Sequence, residues 1–117
     1  MAPSICALYD AGYLEAVAVP QLETFQAAVD FARTEGVIPA PESAHAIRTA
    51  IDEALQAKAL GEKRVILFNL SGHGHFDMSA YQAYMSGQLE NYAYPEAAIK
   101  AALETLPKVN QFQPSEW

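Results

Sequence analysis

The sequence predicts an α/β chain: a partial open parallel sheet with crossover helices, forming one domain over residues 1–117. Three observations carry that expectation. Val65-Ile-Leu-Phe-Asn-Leu70 is apolar at nearly every position, the pattern of a strand covered on both faces. Leu14 to Val19, Leu-Glu-Ala-Val-Ala-Val, reads as a second short strand. The two are separated by roughly 45 residues, too many for a hairpin and enough for a right-handed crossover between parallel strands.

The elements follow in order. Cys6, Ala7, Leu8 and Tyr9 can form one helical turn, which Asp10-Ala-Gly12 breaks; such a start suits an ordinary ragged terminus or the middle of a larger domain. Pro20 ends the first run and stands near the start of a helix. Leu22, Phe25, Ala28, Val29 and Ala32 recur at helical spacing, which predicts a helix over 21–35 closed by Gly36. Glu23 and Arg33 suit its two dipole ends. Pro39 and Pro41 interrupt helix, and a new one opens around Glu42. Its apolar side is Ala44, Ile47, Ile51, Ala54 and Leu55, and it runs to about Leu60 with Gly61 as cap. After the central run, Asp77 can cap a short helix carrying Met78, Tyr81, Tyr84 and Met85, with Gly87 beyond it. Pro95 starts a last helix striped by Ile99, Ala102, Leu103 and Leu106. Pro107 stops that helix, and 107–117 is expected to be an extended tail. Tyr94, Phe112 and Trp117 could cover exposed core or an interface, or lie scattered on the surface.

Composition narrows the function. At 51% hydrophobic the chain can form a core, and its net charge of -7 argues against nucleic acid or an anionic membrane as partner. No apolar stretch reaches the length of about 18 residues that a membrane span needs. No basic stretch precedes an apolar one at the start, so no secretory signal is expected. The single cysteine, Cys6, fits a reducing compartment, and the expected location is cytoplasmic.

Ser71-Gly-His-Gly-His75 is the strongest chemical signal. It places a hydroxyl between an apolar run and two glycines that let a backbone turn and approach a ligand. The plain alternative is a tight turn with surface histidines. His73, His75 and Asp77 have metal-ligating chemistry, but alternate residues in one loop are no specific metal signature, so no metal is expected. Gly72 and Gly74 lack the further glycine or lysine of a dinucleotide or phosphate loop. Ser43 and Ser71 lack the Gly-x-Ser-x-Gly context of a nucleophile elbow. Glu42 and His45 can be a helix-start charge and a rim or core histidine.

Two blocks carry a resemblance to a known family. Arg33-Thr-Glu-Gly-Val-Ile-Pro-Ala-Pro-Glu-Ser-Ala-His-Ala46 and Leu70-Ser-Gly-His-Gly-His-Phe-Asp77 closely resemble the carboxyl-terminal region of the tryptophan synthase beta family. The resemblance covers about residues 5 to 86 and is nearest the divergent, stand-alone branch. It implies the carboxyl-terminal part of the large domain of a fold-type II enzyme that uses pyridoxal phosphate to join indole to L-serine with loss of water. Ser71 then matches the hydroxyl bonded to the cofactor's pyridine nitrogen, and a neutral partner there favours β-elimination. Gly72 and Gly74 match that loop's glycines, Glu42 the carboxylate near the ring, and His45 a structural histidine. His73 replaces an arginine of the commoner branch and His75 an aspartate, so their roles do not carry over.

The departures matter as much. The lysine that holds the cofactor covalently and the glycine-rich phosphate loop have no counterpart here; Lys58, Lys63, Lys100 and Lys108 match nothing. The expectation is a fragment that is inactive alone and does not bind the cofactor tightly. Its partner would be a missing amino-terminal portion of the same enzyme, or further copies of itself in a homo-oligomer. The alternative is a non-catalytic small-molecule-binding or assembly module derived from the same fold.

Overall fold

The computed structural model describes residues 2–93 and 95–105. Among these residues five α-helices occur in the order α1 (Pro3–Asp10), α2 (Gln21–Glu35), α3 (Pro41–Leu60), α4 (Met78–Met85) and α5 (Glu96–Glu104), with a 3-10 turn at Gly74–Phe76 before α4. The α/β expectation is thereby corrected, because no strand forms among the described residues.

Both apolar runs, 14–19 and 65–70, are non-helical, and among the described residues no backbone hydrogen bond joins either of them to another segment. The physical reason is that apolar character makes a strand only where a hydrogen-bonded neighbour exists. Alternation is visible instead. Ile66 and Phe68 are half-buried, and Phe68 meets Phe31 of α2 edge to face at 6.1 Å. Val65 and Leu67, at the alternate positions, are fully exposed. A run that is continuous in sequence is thus covered on one side only.

The core lies where α2, α3 and α4 meet. Phe25, Ala28, Val29, Ala44 and Tyr81 are buried together, with Ile38, Ala80, Tyr84 and Leu89 packed around them. Phe25 is its centre: its ring meets Tyr81 edge to face at 5.2 Å and stacks on Tyr84 at 5.8 Å. Such pairs add about 0.5–1.5 kcal/mol each beyond the area they bury. Small residues on α2 and α3 (Ala27, Ala28 and Ala44, all essentially inaccessible) let the two helices approach closely.

The helix bounds agree closely with the periodicity for α2, which ends at Gly36 in the left-handed region, and for α3, which ends likewise at Gly61. The first helix is longer than one turn, because Pro3 suits a first helical turn and lets it begin there. The apolar side of α3 is narrower than its sequence suggests: Ile47 is buried, while Leu55 is 56% exposed. Asp77 precedes α4 but makes no side-chain cap; its carbonyl accepts the N–H groups of Ala80 and Tyr81. In α5 the stripe of Ile99 and Leu103 is exposed, so that helix adds nothing to the core among the described residues. Tyr94, Leu106 and the tail expected over 107–117, with Phe112 and Trp117, lie outside the described residues.

Candidate functional site

The loop after the apolar run is held through its backbone. Ser43, buried in the first turn of α3, donates its hydroxyl to the Ser71 carbonyl at 2.8 Å and accepts the Ser71 N–H at 3.2 Å. One hydroxyl thus occupies both main-chain groups of one residue. Three residues on, the Gly74 N–H donates to the Ile38 carbonyl at 2.9 Å. Tyr81 of α4 then donates its phenol to the Pro39 carbonyl at 2.6 Å. The segment 38–43 is therefore a hub, binding the loop on one side and α4 on the other.

Gly74 is required by space. A Cβ there would stand 2.5 Å from the Pro39 oxygen, 2.8 Å from Ile38 Cγ2 and 3.0 Å from the Tyr81 ring. Gly72 is required by conformation: its φ of +67° lies in the left-handed region, which side chains with a Cβ rarely occupy. These two glycines let the chain turn at Ser71 and then dive against Pro39.

The side chains of the loop face outward. Ser71 is exposed, and its own hydroxyl makes no hydrogen bond among the described residues. Glu42 is exposed in the first turn of α3, next in sequence to the serine that grips Ser71. His73 Nδ1 accepts the His75 N–H at 3.3 Å, and the two rings lie 4.8 Å apart. His45 points elsewhere: its Nδ1 is 3.4 Å from Thr24 Oγ1, a link between α3 and α2. Burial, and secondarily the negative charge of Asp77, raises the Tyr81 phenol above its ordinary value, which keeps it a donor to Pro39. Among the described residues, no three His, Cys, Asp or Glu side chains gather so as to hold a metal ion.

Sequence reasoning identified Ser71, Gly72, Gly74 and Glu42 as candidates and missed Ser43 and Tyr81, which fix the loop. A serine in a helix's first turn reads locally as a cap; that its partner lies 28 residues away is a tertiary fact.

No protein-family model matches the chain. It is 66% identical over 88 residues to tryptophan synthase beta chain 2 of Aquifex aeolicus, covering 75% of this chain and 20% of that one. The same identity and shares hold for tryptophan synthase beta chain 2 of Methanosarcina mazei. Against the tryptophan synthase beta chain of Pyrococcus horikoshii it is 53% identical over 92 residues, 79% of this chain and 20% of that one. The homology to tryptophan synthase beta chains is strong, and the chain spans about a fifth of the length of the curated relatives it matches.

Proposed function

We propose that this chain is the carboxyl-terminal segment of a tryptophan synthase beta-like, pyridoxal-phosphate-dependent enzyme, the whole of which converts L-serine and indole to L-tryptophan and water. The observation that carries the reading is the combination of the homology with a loop anchored through its main chain at Ser71 and Gly74, whose Ser71 hydroxyl is left outward and unpartnered among the described residues. When bound in the whole enzyme, the cofactor supplies an electron sink for elimination of the serine hydroxyl.

The residues present fit one edge of that cofactor. The Ser71 hydroxyl would meet the pyridine nitrogen as a neutral partner, held in place because Ser43 fixes its main chain. Gly72 and Gly74 keep side chains away from the approach. Glu42, beside Ser43 at the helix start, would supply the carboxylate near the ring. The amine for covalent attachment and the phosphate cradle would come from polypeptide other than the described segment, so this chain alone is not expected to be active. That polypeptide, or a second copy of the chain, would also cover Val65 and Leu67. No described helix is long and apolar enough to cross a membrane. The single cysteine, Cys6, favours a reducing compartment, and the cytoplasm is the proposed location.

The test is a chimera in which the matching stretch of the Aquifex aeolicus relative is replaced by residues 5–86 of this chain. It should make tryptophan from serine and indole, and Ser71→Ala should slow it. A chimera that folds and retains the cofactor's absorbance but gives no product overturns the reading.

A further inference from the structure

We propose that the groove between α2 and α4 is a second binding site, one that takes a small organic monocarboxylate with an apolar body. The groove encloses about 720 Å³, within the range of about 300–1,000 Å³ typical of small-molecule sites. Its walls are Val29 and Ala32 of α2, Ile38 from the connection, and Met78, Tyr81 and Met85 of α4. Met78 and Met85 are 48% and 67% exposed, large apolar side chains of a kind that adapts to irregular ligands.

Charge complementarity selects the occupant. Arg33, in the last turn of α2, lines the same groove. Of the chain's three arginines, Arg48 pairs with Asp52 and Arg64 with Glu53 and Glu62. Arg33 has no ion pair among the described residues; Asp30, one turn earlier, accepts from Gln26 instead. Among the described residues the lining contains no carboxylate, in a chain whose net charge is -7. An unpaired guanidinium beside apolar walls matches a carboxylate, which it can grip with two parallel N–H groups. The groove is bounded by the eight residues of α4, a length of about 12 Å, which suits a free small molecule better than a partner's helix. The proposal is independent of the loop at Ser71 and of the function proposed for it.

The probes are 3-phenylpropionate and its uncharged amide, added to the full chain carrying [13C]methyl-methionine. The acid should shift the Met78 and Met85 methyl resonances saturably and leave Met1 unmoved. It should bind about tenfold more tightly than the amide, the worth of one charge-assisted pair. Arg33→Gln should abolish that preference while the amide's weak binding persists, and Arg33→Lys should restore part of it. No saturable shift at millimolar acid, equal affinity for acid and amide, or a preference that survives Arg33→Gln would each overturn the proposal. So would shifts that follow protein concentration instead of acid, which would mean that a second copy fills the groove.

Discussion

Ser43 and Ser71 are joined twice: the Ser43 hydroxyl gives its proton to the Ser71 carbonyl and receives the Ser71 N–H, over 2.8 and 3.2 Å. This closes a span of 28 residues with one oxygen atom. Ser43 is buried while Ser71 is exposed, so the pair is partly shielded from competing water.

Replacing Ser43 by Ala should therefore cost more than a surface serine would. Two main-chain groups lose their partner, and about 1–3 kcal/mol is the expected loss. The midpoint of urea unfolding measures it. The Ser71 amide should at the same time exchange faster with solvent than in the parent chain.

Gly74→Ala should be the most damaging of the loop substitutions. Its methyl meets the Pro39 carbonyl at 2.5 Å, a backbone atom that cannot swing aside. Overpacking of this kind costs about 1–3 kcal/mol, and more where relief is impossible. Gly72→Ala has room, with Ala40 Cβ at 3.5 Å, but pays for its positive φ, about 1–2 kcal/mol. Thermal melting of the two variants should rank them in that order.

Tyr81→Phe should leave the Pro39 carbonyl without its donor, at a cost of about 1–2 kcal/mol. It should also alter the response to alkali. The folded chain holds the phenol's proton more tightly than the unfolded chain does. The stability this provides is complete below the unfolded value of about 10 and is lost as pH rises through the raised folded value. The difference in stability between parent and variant should thus shrink above pH ~10; a constant difference would contradict the assignment.

Phe68→Ala should destabilise the fold by about 2 kcal/mol through loss of its contact with Phe31. Leu67→Lys, at a position 94% exposed, should stay within about 0.5 kcal/mol of the parent when the chain is monomeric. Equal effects at the two neighbours would mean that both faces of the segment are covered. Denaturant titration at micromolar concentration, with light scattering to establish the oligomeric state, makes the comparison.

The helices were legible because their signals are local. Periodicity at Phe25, Ala28 and Val29 marks α2, and the glycines at 36 and 61 mark the ends of α2 and α3. The sheet was misread at 65–70 because apolar continuity reports what a segment can bury, whereas a strand needs a partner that composition does not supply. The loop at Ser71 stood out through its glycines. The hub that holds it did not, since Ile38 and Pro39 act through carbonyl oxygens that every residue possesses. Leu55 and the α5 stripe of Ile99 and Leu103 have the right spacing for burial and remain exposed among the described residues.

The grip on the loop has a consequence for divergence. Because Ser43, Ile38 and Gly74 bind only main-chain atoms, the identities of residues 71 and 75 carry little architectural duty, whereas the His73 ring caps the turn by accepting the His75 N–H. A lineage could exchange the side chains at 71 and 75 one at a time, trying new chemistries at the rim, while the frame beneath stayed folded.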